Sequence, residues 1–327
     1  MNLRPSDIGE LALVAVASTA GASLAPVLPF VGLPIAAMAL GWLAFRRGYI
    51  VAVAAALLAT AATIPLLGDW TPAVFIGPAI LAAGPGVAWV LTRWPALRAV
   101  VILTAVTVGC AVLFQTAVGA TEGRTFLAQQ RFDAAQAATM LVALGKASGA
   151  SDLEGLEKLA QQSARTSYLL WPSSFVYMYG LAAALVVPIV SRTGRALGRS
   201  VSRLPVLADL DLSLHIVWPA IAGLGLLAAA AFTKQPEGLL WGAGANLLLI
   251  ARAPLFAQGL GDFAALYRKG KVGRFGRTLG FTFLTLSEIA IPSVSVVGLV
   301  DLFLNLRKLP RAGTGPSVSL EGGSGRV

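Results

Sequence analysis

Histidine and cysteine are almost absent from this chain, and their scarcity excludes several kinds of function. Cys110 is the one cysteine and His215 the one histidine among 327 residues. A single thiol excludes an intrachain disulfide and a metal site of paired thiols, and a single imidazole excludes a histidine cluster. The chain also lacks the Gly-x-x-x-x-Gly-Lys-Ser/Thr loop of a P-loop ATPase. We therefore predict no metal, no cofactor and no enzymatic activity.

Charged side chains are also scarce, and most of them are basic. Only 12% of the residues are charged and 57% are hydrophobic, with a mean hydropathy of +0.77, whereas soluble domains carry about 25% charged residues. The net charge of +10 by itself suits a nucleic-acid partner. Here, however, the basic residues lie in short turns between apolar stretches, as they do in membrane proteins. We therefore predict contact with a lipid bilayer and no nucleic-acid partner.

Long apolar stretches take the place of the missing charge. Most of them approach the roughly 20 residues that a helix needs to cross a bilayer. We predict an all-α fold, a polytopic transmembrane helix bundle of about nine to ten membrane segments. The stretches are Ile8–Phe30, Val31–Phe45, Tyr49–Gly68, Thr71–Thr92, Ala99–Ala120, Tyr168–Val190, His215–Thr233, Gly238–Leu260 and Thr278–Leu306.

The basic turns predict how these segments are oriented. Four turns contain arginine or lysine and no acidic residue: Arg46–Arg47, Arg93–Arg98, Arg192–Arg203 and Arg268–Arg277. Two segments fit between neighbouring turns, so all four turns can lie in the cytoplasm, where basic residues concentrate. This arrangement predicts a multi-pass protein of the bacterial inner membrane, with its amino terminus and its carboxyl terminus in the cytoplasm.

A longer polar stretch, residues 121–167, interrupts the apolar segments. Its five basic and five acidic residues cancel, which fits the extracytoplasmic side of the membrane. Ser151 and Glu154 have the spacing of a capping box at a helix start, and a break is expected near Ser148–Gly149. We predict an extracytoplasmic helical insertion of two helices, the second of which runs into the segment at Tyr168.

Proline divides the last apolar stretch. Thr278–Leu306 is long for one span and short for two, and Pro292, near its centre, cannot donate a backbone hydrogen bond. We favour a hairpin of two short helices, followed by a Gly/Ser-rich tail that is expected to be disordered. The expected organisation is an N-terminal membrane bundle of about five helices (1–120), the insertion (121–167), a C-terminal membrane bundle (168–307) and a disordered cytoplasmic tail (308–327).

Polar and ionisable side chains interrupt the apolar segments of the carboxyl third. An ionisable group near the bilayer centre costs on the order of 2.5–3.5 kcal/mol, so it usually has a partner or a function. We predict a Glu288–Arg252 ion pair, either as a structural clasp or as the floor of a polar cavity. The candidate residues are Asn246, Arg252, Gln258, Asp262, Glu288 and Asp301.

Some of these residues also have simpler interpretations. Arg252 lies toward the cytoplasmic end of its segment, so its long stem could carry the charge to water. Asp301, Asn305 and Lys308 are spaced as a polar stripe, which suits an amphipathic helix lying at the membrane interface.

Small residues form a second candidate feature, in the first segment. Ala17, Gly21 and Ala25 are four apart and share one helix face, which suits close packing against a helix of this chain or of a partner. Glycine and proline also interrupt the fourth segment between Gly77 and Gly86. Such interruptions mark the binding sites of some transporters, and they also occur as ordinary kinks.

Two short motifs in the carboxyl third carry a family resemblance. Asn246–Leu260 contains the sequence Gln-Gly-Leu, and Gly298–Arg307 contains Gly-x-x-Asp with a following arginine. In these features the chain resembles the YybS-like family of predicted bacterial membrane proteins of unknown function. That family is distantly similar to the substrate-binding subunits of energy-coupling factor transporters, in which a small-residue face on the first helix docks the transport partner. The resemblance implies the same role for Ala17, Gly21 and Ala25, although the chain has more segments and an added insertion.

Two main hypotheses of function remain open. The first is a component that binds or transports a small solute and needs partner subunits, with its pocket among the candidate polar residues. The second is a non-transporting scaffold or accessory subunit of an envelope-assembly or quality-control complex, whose insertion and small-residue face bind membrane protein partners. An intramembrane enzyme using Glu288 and Asp301 has the least support. An enclosed polar cavity lined by Arg252 and Glu288 would favour transport, whereas paired charges in a tightly packed bundle would favour a scaffold.

Overall fold

The computed structural model describes residues 5–25, 27–68, 71–149, 151–233 and 238–309. All regular structure in these residues is helical, which confirms the predicted all-α class. A π-helical turn, Ala82–Gly86, joins the helices Thr71–Leu81 and Val87–Leu91, and two 3₁₀ turns, Leu207–Asp209 and Leu214–Ile216, precede the helix Val217–Phe232. The α-helices are α1 (Pro5–Leu24), α2 (Pro29–Arg47), α3 (Tyr49–Leu67), α4 (Thr71–Leu81), α5 (Val87–Leu91), α6 (Ala96–Thr121), α7 (Phe126–Ala147), α8 (Leu153–Leu169), α9 (Trp171–Ala196), α10 (Val217–Phe232), α11 (Leu239–Lys269), α12 (Arg274–Ala290) and α13 (Ser293–Leu304).

Among the described residues, six helices are long and apolar enough to cross a membrane: α2, α3, α6, α9, Leu214–Phe232 and α11. The pair α12 and α13 meets at 99° and makes a seventh span if it counts as one. Two further apolar helices, Gly9–Leu24 and Ile76–Leu91, are shorter. The chain is therefore a helical membrane protein of several spans, and the count of nine to ten segments stays a prediction.

Proline and glycine set helix boundaries that hydropathy alone misplaces. The predicted first segment, Ile8–Phe30, is wrong at its end, because α1 stops at Leu24 and α2 begins at Pro29. Proline suits the start of a helix, where the missing N–H would have no intrahelical partner. In the fourth segment, the interruption predicted between Gly77 and Gly86 is present as the π-helical turn.

The polar stretch forms two helices, α7 and α8, as predicted. Gly149 has a left-handed φ of 74°, which confirms the break between them. The predicted capping box is wrong, because Asp152 rather than Ser151 caps α8: its Oδ1 accepts a hydrogen bond from Gly155 N–H at 2.8 Å. The extracytoplasmic position of this α7–α8 hairpin stays a prediction.

The chain forms two compact units. The first comprises Met1–Leu204 and Ala222–Ile250, and the second comprises Pro205–Ile221 and Ala251–Val327. These units follow packing, whereas the division expected from the sequence follows the sides of the membrane, so that division stays a prediction. The expected disordered tail lies outside the described residues, apart from its first two positions.

The core of the first unit is built around α2. In its most apolar stretch 67% of the residues are buried, against 17–33% in the other five candidate spans. Protein therefore surrounds α2, while the other spans keep wide apolar faces exposed, as helices in contact with lipid do. The largest fully buried side chains of α2 and of α9, which packs against it, are Leu33, Leu40, Leu43, Val186, Val187 and Val190.

Candidate functional site

The second unit contains five of the six candidate polar residues, in two groups. Arg252 pairs with Glu288, while Gln258 and Asp262 gather around Asp301. Helix α11 supplies three of the five, and α12 and α13 supply one carboxylate each. All but Arg252 are buried, with Gln258 and Asp301 fully inaccessible to solvent.

The Arg252–Glu288 pair joins α11 to the break between α12 and α13. Arg252 Nε lies 2.8 Å from Glu288 Oε1, so the predicted ion pair is present. The guanidinium also donates to the backbone carbonyl of Glu288. In a continuous helix that carbonyl would accept from the N–H four residues later, but this position is Pro292, which has none. Arg252 therefore supplies the missing donor. Snorkelling of Arg252 to water does not by itself account for this geometry, since only 30% of its side chain is exposed.

Glu288 also caps the start of α13. Its Oε2 accepts hydrogen bonds from the backbone N–H of Val294 at 2.9 Å and of Ser295 at 3.2 Å. The Ser295 hydroxyl donates to Oε1 of the same carboxylate. The first N–H groups of a helix have no partner within it and carry partial positive charge, so they attract anions. The carboxylate occupies this anion-binding position, and protein groups thus satisfy both sides of the break.

The two motifs that carry the family resemblance meet where α11 crosses α13. A Cβ on Gly298 would come within 2.7 Å of the backbone nitrogen of Gly259, so the crossing leaves no room for a side chain. Beside it, Gln258 Nε2 donates to Asp301 Oδ2 at 2.7 Å. Small residues allow close helix contact within a bilayer, and polar side chains bond across such interfaces. The motifs therefore form one helix crossing with a buried polar bond beside it.

Arg307 completes this crossing by binding two carboxylates. Its Nη2 lies 2.8 Å from Asp301 Oδ2, and its Nε lies 2.7 Å from Asp262 Oδ1. All three side chains are at most 6% exposed. Arg307 also donates to the carbonyl of Ala208 at 3.2 Å, which ties the chain before α10 to the same cluster.

The sequence does not mark Arg307 as a candidate. A basic residue after an apolar segment is the usual sign of a cytoplasmic turn. This ordinary explanation gives no reason to expect that Arg307 also pairs with buried carboxylates. The available signal is its position in the motif, six residues after Asp301.

The predicted polar stripe of Asp301, Asn305 and Lys308 is wrong. Helix α13 ends at Leu304, and Asn305 and Lys308 have left-handed φ values of 45° and 55°. No helix face therefore joins the three residues. Asp301 is fully buried, which also contradicts an interfacial position for its carboxylate. Asn305 instead exchanges two hydrogen bonds with the backbone of Leu309.

Asn246, the sixth candidate, belongs to the first unit. Its Oδ1 accepts from the backbone N–H of Ser173 at 2.9 Å. Its Nδ2 donates to the carbonyls of Leu169 and Gly242, each at 2.7 Å. Asn246 thus fastens α11 to the joint between α8 and α9, and its amide is occupied within the chain.

The small-residue face of α1 packs against α2. A Cβ on Gly21 would come within 2.5 Å of Ala36 N and 2.7 Å of Gly32 O. Ala25 is also buried, whereas Ala17 is partly exposed. Gly21 and Ala25 therefore serve packing within the first unit.

Two open grooves lie along α7 and α8, and neither contains a candidate polar residue. The smaller, of about 470 Å³, is lined by apolar residues together with Arg131, Arg165 and Tyr168. The larger, of about 580 Å³, has alanines as half of its lining residues and also includes Lys146 and Glu157. Among the described residues, no three His, Cys, Asp or Glu side chains form a group that could hold a metal ion.

A family model matches most of this chain. Residues 12–302 match the model of a family described as "Predicted membrane protein (DUF2232)". The chain belongs to the DUF2232 family. The resemblance to a family of multi-pass membrane proteins of unknown function is thereby confirmed. The more distant similarity to energy-coupling factor subunits stays a prediction. No curated protein and no solved structure matches this DUF2232 protein.

Proposed function

We propose that the protein is a non-transporting scaffold or accessory subunit of a complex in the bacterial inner membrane. The chain crosses the membrane in nine to ten segments with both termini in the cytoplasm, and the α7–α8 hairpin stands on the extracytoplasmic side. There the hairpin binds a membrane protein partner. The polar groups of the second unit act as structural clasps rather than as a solute pocket.

The position of the Glu288 carboxylate carries this proposal. Transporters with broken helices hold the anionic group of a solute at the free N-terminus of a half-helix. Here that position at α13 is taken by Glu288, which accepts from Val294 and Ser295. Arg252 neutralises the carboxylate. A solute would have to displace an internal ion pair to bind, which favours the scaffold hypothesis over transport.

The α7–α8 hairpin has the surface that such a partner requires. Met140 and Leu144 of α7 are 57% and 67% exposed. They share one face of α7, away from the larger groove, which lies on the α8 side and includes Lys146 and Glu157, whose charged atoms lie 3.7 Å apart. Two exposed apolar anchors one helical turn apart suit an amphipathic helix of a partner protein.

Purification in a gentle detergent, with mass spectrometry of all proteins and small molecules that co-purify, tests the proposal. We expect wild type to retain a membrane protein partner that the double variant Met140→Glu/Leu144→Glu loses, while its unfolding temperature stays unchanged. The matched control exchanges the charges of Glu154 and Lys158, which form an exposed pair on the same hairpin, and should retain the partner.

The transport hypothesis instead predicts that a small molecule binds to the wild-type protein. A small molecule bound in stoichiometric amount to wild type and released by Glu288→Gln would overturn the scaffold proposal. Loss of the partner from the charge-exchange control to the same degree as from the double variant would also contradict it, since the apolar surface would then not be the determinant.

A further inference from the structure

The turn between α11 and α12 concentrates positive charge. Residues 268–277 contain five basic side chains and no acidic one, and all five are exposed. Arg268 is paired with Asp209 at 3.0 Å. In the described part of the chain, no carboxylate forms a salt bridge with the other four. The basic residues are Arg268, Lys269, Lys271, Arg274 and Arg277.

Hydrogen bonds to backbone carbonyls close this turn. Gly270 N–H donates to the carbonyl of Leu266 at 2.8 Å, and Val272 N–H donates to that of Tyr267 at 3.1 Å. Arg277 Nε donates to the carbonyl of Val272 at 2.7 Å, which closes the turn from the α12 side. The positive charges therefore lie on a hydrogen-bonded turn.

An exposed apolar face of α12 continues from the basic turn. Four large side chains are 60–82% exposed and follow one another at spacings of four, four and three residues, so they share one helix face. At 1.5 Å per residue this face is about 16 Å long. Another face of α12 packs against α11, where the rings of Tyr267 and Phe281 have centroids 5.4 Å apart. The exposed residues are Phe275, Leu279, Phe283 and Leu286.

We propose that this turn and the exposed face of α12 bind an anionic phospholipid. Lys269, Lys271 and Arg274 take the phosphate of the headgroup, since clustered basic residues beside a membrane segment attract anionic lipids. The acyl chains lie along Phe275–Leu286, as lipid covers the apolar side of an amphipathic helix. A free phosphate ion would use the charges but leave the adjoining apolar face uncovered, so the continuity of the two features selects a lipid.

Titration of the delipidated protein with phosphatidylglycerol, followed by native mass spectrometry, tests the site. The variant Lys269→Gln/Lys271→Gln/Arg274→Gln should bind about 100-fold more weakly, since each basic side chain near an anionic lipid contributes roughly fivefold. Arg268 and Arg277 stay in place because they bond Asp209 and Val272. If the triple variant does not fold, the single variant Lys271→Gln should still bind about fivefold more weakly.

The control removes the same charge elsewhere. Arg98→Gln/Arg192→Gln/Arg203→Gln neutralises three exposed arginines of other basic turns and should leave the strongest binding event unchanged. Phosphatidylcholine should be retained much less than phosphatidylglycerol, and inorganic phosphate should not displace the lipid. Equal retention of the two lipids, equal weakening by the control, or displacement by phosphate would each overturn the proposal.

Discussion

The interiors of the two units of this protein are stabilised by different kinds of interaction. In the first, buried apolar side chains form a continuous cluster around α2, and glycines allow α1 to approach it closely. In the second, the buried apolar cluster consists only of Val217, Leu255 and Leu302 among the described residues. Buried ion pairs and an amide–carboxylate bond accompany this small cluster.

The difference shows how a membrane protein can stabilise a region that has little apolar packing. Lipid tails are as apolar as leucine, so helices gain little from simply leaving the lipid, and packing or polar bonds must supply the energy. The first unit relies on dense packing, and the second relies on directional polar bonds. Substitutions that remove one kind of interaction should therefore affect mainly the unit that depends on it.

Arg307→Leu is expected to have the largest effect and to act on the second unit. It leaves Asp262 and Asp301 buried without a cation, and removing one partner of a buried ion pair costs about 3–5 kcal/mol. Chemical unfolding in detergent measures the loss. The control is Arg268→Leu, because its pair with Asp209 is 59% and 46% exposed and should contribute less than about 1 kcal/mol. Equal losses would show that burial of the polar bonds is unimportant.

Leu40→Ala tests the apolar side of the comparison. Leu40 is fully buried in α2, and truncating such a leucine costs about 2–5 kcal/mol through lost contacts and a cavity. Unfolding measured in the same detergent should show this loss, whereas Leu58→Ala, at a position 72% exposed, should change little. A small effect at Leu40 would mean that the first unit does not depend on the packing around α2.

Gly298→Ala should separate close packing from polar bonding in the second unit. A methyl group at this position would meet the backbone of Leu255 and Gly259, and overpacking of this kind costs about 1–3 kcal/mol. Gly109→Ala is the matched control, since nothing lies within 4 Å of its added Cβ and alanine stabilises a helix interior by about 0.5–1 kcal/mol. Thermal unfolding of both variants should therefore shift in opposite directions, and a stable Gly298→Ala protein would rule out the tight crossing.

Asp152→Ala should have the smallest effect, confined to the α7–α8 hairpin. Loss of its cap on α8 is expected to cost about 1 kcal/mol, visible as faster hydrogen exchange in the first turn of α8. Ser151→Ala should leave exchange unchanged, because Ser151 does not cap the helix. The reverse result would restore the capping box that the sequence suggests.

Much of the fold can be predicted from the sequence, because hydropathy directly indicates the length of each helix and its burial in an apolar environment. The broken fourth segment and the break between α7 and α8 follow from glycine and proline. The Arg252–Glu288 pair is also predictable, since two opposite charges within apolar segments are each costly alone.

The rest depends on contacts that hydropathy does not encode. Apart from its position in the motif, Arg307 resembles an ordinary basic residue of a cytoplasmic turn until α11 and α13 are seen to cross. The extended polar stripe fails because Asn305 leaves the helical conformation, and a helix periodicity cannot show where the helix ends. The role of Glu288 as a cap depends on the contact of its carboxylate with the N–H groups of Val294 and Ser295, which the break predicted at Pro292 does not reveal.

The order of these residues along the chain has a consequence for synthesis. Arg252 and Asp262 lie in α11, whereas Glu288 follows Arg252 by 36 residues and Arg307, beyond the end of α13, follows Asp262 by 45. At about 5–20 residues per second, roughly 2–9 s pass before the partners leave the ribosome. During that interval α11 carries two uncompensated charges, and such a charge opposes insertion by up to roughly 2.5–3.5 kcal/mol at the centre of a span. We therefore expect α11 to stay beside the insertion machinery until the last helices emerge, so that a nascent chain truncated before residue 288 remains there.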